Sequence, residues 1–545
     1  MQGQMMQQPL LVSSLITHAA RHHKDQEIVS RRVEGDIHRY TFGEMAVRAK
    51  KLAQVLGRLG VEPGDRVGTL AWNGYRHLEL YYAASGSGSI LHTLNPRLHP
   101  DQLEWIINDA ADKVLFFDLT FLPLVRDLAP KLTSVKHFVL MSDRDHLPAD
   151  PASMLAYEDL VEAESGDYEW PVFDENTASS LCYTSGTTGN PKGVLYSHRS
   201  TVLHSYGVAM PDSIGISARD SVLPVVPMFH VNAWGIPYTA CMVGAKVVFP
   251  GAEMDGESLY ELQEAEGVTL SASVPTVWQG QLQYLEASGR RLSTLQRAVI
   301  GGAACPPAML RTLEEDYGIT VIHGWGMTET SPFGTASVLK ARNLQGTREE
   351  RYAVQGKQGR CVFGIDLKII DDEGRELPWD GATAGHLMAR GLWVMSRYYN
   401  RPDTDPLVDG WFATGDIATI DADGFMQITD RSKDIIKSGG EWISSIELEN
   451  IAMGHPGVAM AACIGVPHQK WDERPLLVAV RKPGADVGET DLLEFFAGKI
   501  AKWWTPDAVV FVDALPMGTT GKIVKAPLRQ QFQHHLAADR SPESV

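Results

Sequence analysis

The stretch Tyr183–Val194 reads YTSGTTGNPKGV and sets small hydroxyls, glycines and one lysine directly after the apolar run SSLCY. Glycines and small hydroxyl residues leave backbone N–H groups open and let the chain pass close to an anion, while the lysine adds positive charge. The apolar run is typical of a buried strand, and α/β proteins bind their ligands where such strands end. The stretch therefore predicts a loop that holds phosphate.

Two alternatives to this loop have to be weighed. A flexible surface turn is common for Gly/Ser/Thr clusters and stays open on this stretch alone. The P-loop of nucleotide-binding proteins needs the pattern G-x-x-x-x-G-K-[ST]. That pattern is absent, because Pro191 precedes Lys192 and Gly193 follows it. The segment is thus interpreted as a phosphate loop of another kind.

Three other segments offer groups that suit a nucleotide and its metal ion. GWGMTE ends in Glu329, a hard oxygen ligand of the kind that Mg²⁺ prefers beside substrate phosphates. GWFATGD ends in Asp416, whose two oxygens can accept both hydroxyls of a ribose. In LPMGTTGKIVK, Lys522 follows a glycine-rich turn, and a mobile ammonium can approach a phosphate where negative charge concentrates. Each of these residues taken alone is more often a solvated surface group.

The bulk composition excludes several classes of function. A chain of 545 residues exceeds what one core usually fills, so at least two domains are expected. A formal net charge of -18 argues against nucleic acid and against an anionic membrane face as partners. The five cysteines are scattered and form no C-x-x-C pair, which predicts reduced thiols in a cytoplasmic protein. No stretch is long enough to cross a bilayer, so no integral membrane segment is expected.

The elements that would position these groups follow from the hydrophobic pattern. Thr41 and Glu44 form a capping box ahead of a helical pattern that stops at Gly60. Further apolar runs of strand length are separated by helical patterns, which predicts an α/β fold with mostly parallel sheets. These runs are RVGTLAW, KVLFFD, HFVLMS, AKVVFP, VTLSASVP, RAVIGG and TVIHGWG.

The character of the chain changes after about Gly356. LKIIDDEGREL and IATIDADGFMQITD are punctuated by turn residues and predict antiparallel hairpins. A segment dense in charge and glycine, DRSKDIIKSGGEWIS, follows, and a shorter α/β pattern comes after it. We therefore predict a large N-terminal domain over residues 1–432, with mixed α/β sheets and an antiparallel subdomain, and a small mobile α+β domain over residues 433–545.

The motif T-S-G-T-T-G-x-P-K-G resembles the signature of the adenylate-forming superfamily, and the other motifs follow it in the order of that family. Within the superfamily, the chain is most similar to the medium-chain branch of the fatty acyl-CoA synthetases. The resemblance implies a ligase that converts a carboxylic acid to acyl-AMP with release of pyrophosphate and then transfers the acyl group to coenzyme A. ATP, Mg²⁺ and coenzyme A would be substrates or ions, with no prosthetic group. Fatty-acyl relatives suggest a homodimer.

The resemblance also assigns residues to the nucleotide. Lys522 would be the adenylation lysine, and Glu329 would bind the metal with Thr184 as a second oxygen ligand. Asp416 would bind the ribose, and Trp325 would offer its indole face to adenine. The ATP-binding residues that the resemblance implies are Thr184, Ser185, Gly186, Thr187, Thr188, Gly189, Lys192, Gly302, His323, Gly324, Trp325, Thr328, Asp416, Arg431, Lys433, Lys437 and Trp442.

A further set of residues is implied for the thiol step and the hinge. Arg431 would reach the nucleotide, and Lys433 would mark where the small domain pivots. Gly439, Gly440 and Glu441 would enter the active site with coenzyme A, because glycines let backbone pass beside a narrow pantetheine arm.

The apolar segment VVPMFHVNAWGIPYTACMVGA would suit an acyl chain, whose burial gives about 0.8 kcal/mol per methylene. A buried helix would have the same composition, so the segment alone leaves both interpretations open. By family position His230 would flank the carboxylate, Trp234 would gate the acyl tunnel and Trp278 would shape the pocket. PMFHVNA holds no acidic partner for an α-amino group, which favours a plain carboxylic acid over an amino acid.

Two other functions stay open. The chain could adenylate an aryl or sulfur-containing short acid, or use another acceptor. It could also be a catalytically silent nucleotide-binding or scaffold protein on the same fold. The intact Lys522, Glu329 and Asp416 argue against the silent protein.

Overall fold

The computed structural model of the chain describes residues 1, 3–147, 154–184, 190–439, 441–468, 470–518 and 522–536, with residue 441 described by its backbone only. The strands are β1 (Glu27–Arg31), β2 (Ile37–Thr41), β3 (Arg66–Leu70), β4 (Ile90–Thr93), β5 (Asp112–Asp118), β6 (His137–Met141), β7 (Met154–Ala156), β8 (Ala178–Tyr183), β9 (Gly193–Ser197), β10 (Ser221–Pro224), β11 (Lys246–Phe249), β12 (Leu270–Ser273), β13 (Arg297–Ile300), β14 (Thr320–Gly326), β15 (Phe333–Ala336), β16 (Arg360–Cys361), β17 (Ile365–Ile370), β18 (Gly385–Gly391), β19 (Leu407–Val408), β20 (Trp411–Ile420), β21 (Met426–Arg431), β22 (Ile436–Ser438), β23 (Glu441–Ile443), β24 (Val458–His468), β25 (Asp472–Arg481) and β26 (Ala508–Phe511).

Helices alternate with these strands along most of the chain. The right-handed α-helices of the described residues span Val12–His22, Phe42–Arg58, Tyr75–Gly86, Pro100–Ala110, Leu122–Leu128, Tyr157–Glu162, His198–Ala209, Ile236–Val243, Gly256–Glu266, Pro275–Ser288, Pro307–Arg311, Arg348–Gln355, Ser445–Met453, Glu489–Phe495 and Lys525–Phe532. Among them, none combines the length and the apolar character that crossing a lipid bilayer requires.

Two large sheets form most of the N-terminal part. Within the described ranges, one has seven strands in the order β7-β6-β5-β3-β4-β8-β9, and the other has nine in the order β16-β15-β14-β13-β12-β10-β11-β1-β2. The inner strands of both sheets pair in parallel. Inner strands such as β4, β10 and β12 are buried along their whole length, as expected where helices cover both faces of a parallel sheet. The predicted α/β alternation is confirmed, since all seven apolar runs form strands.

The predicted start of the second helix is also present. Thr41 caps the helix Phe42–Arg58: the Glu44 N–H donates to Thr41 Oγ1, and the Glu44 carboxylate accepts from the Thr41 N–H. The chain leaves the helix through Gly60, whose φ of 75° lies in the left-handed region that favours glycine. Local sequence chemistry therefore fixes both ends of this helix.

A third sheet, formed by β17 to β21, is antiparallel and follows the two large sheets. The predicted hairpin over IATIDADGFMQITD is present as the β20–β21 pair. The predicted hairpin over LKIIDDEGREL is present in a short form. Ile370 and Glu376 form an antiparallel bridge, and the Leu377 N–H donates to the Ile369 carbonyl oxygen at 2.9 Å. The sequence did not indicate that β17 pairs along its length with β18, because that strand comes later in the chain.

The fourth sheet lies in the C-terminal part and contains β22 to β26. Its long β24–β25 hairpin alternates apolar side chains between the two faces, so Cys463 and Ile464 belong to two different apolar clusters. The change from the third sheet to the fourth falls between Arg431 and Ile436, the interval that contains the predicted domain boundary.

Candidate active site

Strand ends from both large sheets meet at one place. β13 and β14 are parallel neighbours whose carboxyl ends open on the same edge, next to Gly302 and Gly326. β8 ends at Tyr183 and leads directly into Thr184. On the adjacent β9, the Tyr196 hydroxyl donates a hydrogen bond of 2.6 Å to the Thr328 carbonyl oxygen. This contact ties the seven-stranded sheet to the 3-10 turn that follows β14, so motifs distant in sequence become neighbours.

Asp416 lies at the centre of this place and is 1% exposed. It stands opposite Arg431 in the β20–β21 register, and Arg431 Nε lies 2.8 Å from Asp416 Oδ1. The Trp325 indole N–H donates a 2.9 Å hydrogen bond to the other carboxylate oxygen, Oδ2. Burial raises the pKa of Asp416, and the charge of Arg431 opposes that shift. Trp325 and Arg431 thus hold the carboxylate in one orientation.

The small domain reaches the same place through Lys522. A Cβ atom built on Gly302 would lie 3.6 Å from Lys522 Cε, so the lysine passes directly over this glycine. Gly302 has a φ of 81°, a conformation that a larger residue rarely adopts. Burial and then the positive charge of Arg431 lower the pKa of Lys522 to about 8, and the Asp416 carboxylate partly offsets them. The predicted adenylation lysine and ribose-binding carboxylate therefore share one cleft.

Glu329 lies on the same cleft, in the 3-10 turn Thr328–Thr330, and is 7% exposed. The Tyr398 hydroxyl donates a 2.9 Å hydrogen bond to Glu329 Oε1. Burial raises the pKa of Glu329, whereas this hydrogen bond and the charges of Arg431 and Lys192 lower it. Lys192 Nζ lies 4.9 Å from the centroid of the Tyr398 ring, in a cation–π contact.

The donor set around Glu329 fits the predicted metal ion. Mg²⁺ takes hard oxygen ligands and is usually held by one or two carboxylates together with substrate phosphates and waters. Tyr398 occupies one side of the Glu329 carboxylate as a neutral donor, because burial and the nearby Glu329 charge raise the pKa of this phenol. A carboxylate oriented in this way is suited to a divalent cation.

The base of the predicted phosphate loop is closed by two hydrogen bonds between Thr184 and Lys192. The Thr184 N–H donates to the Lys192 carbonyl oxygen at 2.9 Å, and the Lys192 N–H donates to Thr184 Oγ1 at 3.2 Å. These bonds bring the two ends of the loop together. The predicted phosphate-binding residues between them, Ser185, Gly186, Thr187, Thr188 and Gly189, lie outside the described residues.

His323 is fully buried and bonded on both ring nitrogens. The Cys305 N–H donates to Nε2 at 3.3 Å, and Nδ1 lies 3.0 Å from the Gly356 carbonyl oxygen. Burial lowers the pKa of His323 to about 4, so the ring is neutral and its Nδ1–H donates to Gly356. The ring therefore holds the loop that begins at Gly302. Its predicted part in the adenine site, with Gly324, remains a prediction.

Two of the predicted acyl-binding residues, His230 and Trp234, lie beside the same cleft. Burial and the nearby Lys522 lower the pKa of His230 to about 4, which keeps its imidazole neutral. A Cβ atom on Gly301 would lie 3.0 Å from Trp234 Cη2, so this indole rests on the backbone after β13. Trp278 is buried on the helix Pro275–Ser288. A Cβ atom on Gly302 would lie 3.2 Å from Cγ1 of Val274, which precedes this helix.

The backbone that carries Trp234 is unusual. Four consecutive non-glycine residues have positive φ angles, which makes the segment a left-handed turn that costs about 1–2 kcal/mol per residue. The residues are Val231, Asn232, Ala233 and Trp234, with φ of 42°, 52°, 48° and 57°. The Asn232 side chain stabilises the turn, since its Nδ2 donates to Ser180 Oγ on β8 at 2.9 Å. The turn is thereby connected to the strand that leads into the phosphate loop.

The predicted hinge and thiol-step residues lie beyond β21. Lys433 is exposed in the turn that follows it, and Lys437 is exposed on β22. Trp442 on β23 lies beside His386 of the antiparallel sheet, with ring centroids 6.0 Å apart, and its predicted part in ATP binding remains a prediction. Gly439 follows β22 and has a φ of 59°. Gly440 and the side chain of Glu441 lie outside the described residues.

Three polar residues that organise the site were not predicted. Tyr398 orients Glu329, and Asn232 fixes the left-handed turn. Asn73 holds the segment that precedes His230: its Nδ2 donates to the Pro224 and Val226 carbonyl oxygens at 2.8 and 2.9 Å, and its Oδ1 accepts from the Met228 N–H at 2.6 Å. None of the three belongs to a recognisable sequence motif, because each forms its hydrogen bond with a residue more than 50 positions away.

Comparisons with known proteins agree with this geometry. The family model described as AMP-binding enzyme matches residues 16–399, and the one described as AMP-binding enzyme C-terminal domain matches residues 447–522. The chain is 59% identical over 538 residues to 3-methylmercaptopropionyl-CoA ligase of Ruegeria lacuscaerulensis, covering 98% of this chain and 100% of the relative. It is 52% identical to medium-chain-fatty-acid–CoA ligase of Ectopseudomonas oleovorans over 100% of both chains.

A solved structure supports the same relationship. The crystal structure of the anthranilate CoA ligase AuaEII with anthranoyl-AMP superposes with a TM-score of 0.86 at 25% identity, covering 98% of this chain and 99% of that one. The predicted fold class is confirmed, and the predicted acid–thiol ligase class agrees with relatives that bear the names of CoA ligases. The chain belongs to the AMP-binding enzyme family, as its motifs predicted.

Proposed function

We propose that the protein is an ATP-dependent acyl-CoA ligase for an apolar carboxylic acid, with medium-chain fatty acids as the first candidate substrates. The observation that carries the proposal is the convergence of Lys522 from the small domain with Asp416, Arg431 and Gly302 from the large one. A lysine over a glycine-rich strand end, beside a ribose-binding carboxylate, suits stabilisation of a nucleotide during reaction at its α-phosphate.

In the first step an oxygen of the substrate carboxylate attacks the α-phosphorus of ATP. The new O–P bond forms as the bond to the bridging oxygen of the β-phosphate breaks, and that oxygen leaves with pyrophosphate. Lys522 and Arg431 neutralise negative charge that concentrates on the α-phosphate, and Asp416 fixes the nucleotide through its ribose. His230, held neutral, can donate to the carboxylate without adding a charge of its own.

Mg²⁺ would be held by Glu329, with Thr184 as a second oxygen ligand. When bound, the ion would neutralise charge on the triphosphate. Tyr398 contributes by orienting the Glu329 carboxylate, and Lys192 lies close enough to influence its ionisation. Each of these residues acts on the triphosphate side of the cleft.

In the second step the thiolate of coenzyme A attacks the acyl carbonyl carbon, and the bond between that carbon and the AMP oxygen breaks. We infer that residues 433–545 turn between the two steps, so that Lys522 withdraws and the turn at Gly439 approaches, with Lys433 near the pivot. Two steps with different requirements at one cleft account for a small domain that moves relative to the large one. Coenzyme A, a cytoplasmic location and a homodimer through the large domain complete the proposal. The described cysteines, all unpaired, fit a reducing compartment.

A second candidate substrate is a short sulfur-containing acid. The relatives at 59% and 55% identity are named 3-methylmercaptopropionyl-CoA ligases, and the relative at 52% is named a medium-chain fatty acid ligase. Both acids have an unbranched apolar chain, which agrees with the uncharged segment around Trp234. Medium-chain fatty acids are longer than 3-methylmercaptopropionate and contain no sulfur. Pentanoate is the matched comparison, because it has the same chain length and carries a methylene in place of the sulfur.

A panel of acids tests the proposal and separates the two substrates. The protein is mixed with ATP, Mg²⁺, coenzyme A and butanoate, pentanoate, hexanoate, octanoate, decanoate or 3-methylmercaptopropionate, and AMP and pyrophosphate are measured. A medium-chain pocket should raise kcat/KM about fourfold per methylene up to its length, from ~0.8 kcal/mol each. A sulfur-acid pocket should prefer 3-methylmercaptopropionate over pentanoate and gain nothing from octanoate. ADP with phosphate, or no product with any acid, would contradict the proposal.

The pH dependence of adenylation follows from the pKa of Lys522. The ammonium is the useful form, and in the free protein its pKa is lowered to about 8. Since kcat/KM reports groups of the free enzyme, its value for ATP should fall as pH rises through about 8. Pyrophosphate release is measured without coenzyme A, so that its thiol does not contribute. Lys522→Arg should remove this alkaline limb; a limb that persists unchanged would assign it to another group.

Trp325→Phe tests whether the indole N–H orients Asp416 for the ribose. Phenylalanine keeps an aromatic ring and removes the hydrogen bond to Oδ2. KM for ATP should rise by roughly fivefold to tenfold, in line with ~1–1.5 kcal/mol for one hydrogen bond. The ratio of KM for 3′-deoxy-ATP to KM for ATP should decrease, because a loosely held carboxylate binds the ribose hydroxyls less specifically. An unchanged preference for the ribose would mean that Trp325 acts only as packing.

A further inference from the structure

Gly439, the residue that follows β22, lies against two tryptophans of the small domain. A Cβ atom on Gly439 would lie 3.0 Å from Trp471 Cε3 and 3.4 Å from Trp503 Cζ2, so the two indoles flank this glycine. Their rings meet edge to face, with centroids 4.6 Å apart at 85°. The Gly439 N–H also donates to the Trp471 carbonyl oxygen at 2.9 Å. The position of Gly439 is therefore set by both side-chain and backbone contacts.

Arg474 joins this pair to the strand that carries the turn. Arg474 is 6% exposed, and its guanidinium donates to Ser438 Oγ at 3.2 Å, to the Trp503 carbonyl oxygen at 2.9 Å and to the Thr505 carbonyl oxygen at 3.2 Å. Asp507 neutralises it, with Oδ1 accepting from Nε at 2.8 Å. The guanidinium carbon also lies 4.7 Å from the Trp503 ring centroid. One buried arginine thus contacts Ser438, the residue before Gly439, and the backbone that carries Trp503.

The geometry of these contacts requires arginine. A guanidinium offers donors in a planar fork, whereas the ammonium of lysine is a compact charge that cannot reach Ser438, Trp503 and Asp507 together. Gly439, with its φ of 59°, is followed by a second glycine in the sequence, so the turn itself has few side chains to hold it. The support must come from the residues behind it.

Lys522 is supported separately within the same domain. Lys525, at the start of the helix that follows it, lies 2.6 Å from Glu449 Oε1 and donates to Ser445 Oγ at 2.5 Å. Ile523 packs in the apolar cluster with Ile464, whereas Trp503 packs in the other cluster, on the opposite face of the sheet. The adenylation lysine and the glycine turn are therefore held by different contacts.

We propose that Trp471, Trp503 and Arg474 are positioning residues for the thiol-transfer step alone: they hold the Gly439 turn in the shape that admits the pantetheine thiol, and they do not support adenylation. The inference rests on the proposed acyl-CoA ligase function. Within the small domain, one set of contacts then holds Lys522 for adenylation and another holds Gly439 for thiol transfer. Substitutions can therefore weaken the two half-reactions independently.

Arg474→Lys in the full-length protein is the test. Acid-dependent exchange between ATP and pyrophosphate measures adenylation, and transfer from supplied acyl-adenylate to coenzyme A measures the thiol step. Adenylation should stay within about twofold, while the transfer rate should fall by tenfold to about 100-fold, the range that misplacement by an ångström causes. Trp471→Leu should give the same split. Retained exchange shows that the small domain is folded, because exchange needs Lys522.

Arg481→Lys is the matched control. Arg481 lies on the same strand, stacks on Phe511 at 3.6 Å and donates to the Val487 carbonyl oxygen at 2.8 Å, away from the glycine turn. Both half-reactions should be unchanged in this variant. Equal losses of exchange and transfer in Arg474→Lys and Trp471→Leu, or no loss in either, would overturn the inference. A wild-type protein without acid-dependent exchange would instead refute the proposed function, so the two failures are distinguishable.

Discussion

Lys522→Ala should abolish most of the adenylation activity and leave transfer of a supplied acyl-adenylate to coenzyme A largely intact. Loss of one group that stabilises developing charge typically costs on the order of 10²–10³-fold in rate. Lys522 reaches the cleft from the small domain, beside Arg431 and over Gly302, and no step after departure of pyrophosphate needs an ammonium there. The two half-reactions should therefore respond to the substitution very differently.

The measurement compares pyrophosphate release with acid and ATP against thioester formation from acyl-adenylate. Lys482→Ala provides the control, since Lys482 is an exposed lysine of the same domain. It should leave both rates unchanged. A loss of equal size in both half-reactions of Lys522→Ala would contradict the division of labour between the lysine and the Gly439 turn.

Glu329→Gln should lower adenylation by a similar factor, on the order of 10²–10³-fold, and raise the Mg²⁺ concentration that supports half of the remaining rate. Glutamine keeps the shape and can still accept the hydrogen bond from Tyr398. It removes the negative charge, which a hard divalent cation requires of its protein ligand. It also removes a negative charge that interacts with Lys192 and Arg431.

The rate of pyrophosphate release is measured over a series of Mg²⁺ concentrations. Glu373→Gln serves as the control, because Glu373 is an exposed carboxylate whose partner Arg375 is also exposed. Its Mg²⁺ dependence should match the wild type. A Glu329→Gln variant with a reduced rate but an unaltered Mg²⁺ dependence would show that this carboxylate acts on the nucleotide and not on the metal.

Much of the fold could be predicted because hydrophobic period and turn chemistry are local. The seven apolar runs form strands, and Thr41 caps its helix. The LKIIDDEGREL hairpin is present only as a short turn, and its residues did not indicate that β17 pairs along its length with β18. A pattern read over ten residues carries no information about a strand that comes 15 residues later.

The candidate site could be predicted as far as its motifs extend. The sequence predicted one nucleotide site for Asp416, Lys522 and Glu329. The structure brings Asp416 and Lys522 into one cleft with Arg431. The charge of Arg431 also lowers the pKa of Glu329 against the effect of burial. The partners that orient them could not be predicted. Tyr398 and the Trp325 indole N–H act through side-chain geometry between distant segments, and residue type alone does not show which atom a hydrogen bond will use.

The central claim is that an oxygen of the acid captures the α-phosphorus of ATP in this cleft. Acid labelled with ¹⁸O in both carboxylate oxygens tests it most directly, with AMP analysed by mass spectrometry after turnover with coenzyme A. We expect each AMP to carry one ¹⁸O, transferred through the acyl-adenylate. Unlabelled AMP, or ¹⁸O recovered in phosphate together with ADP, would contradict the account.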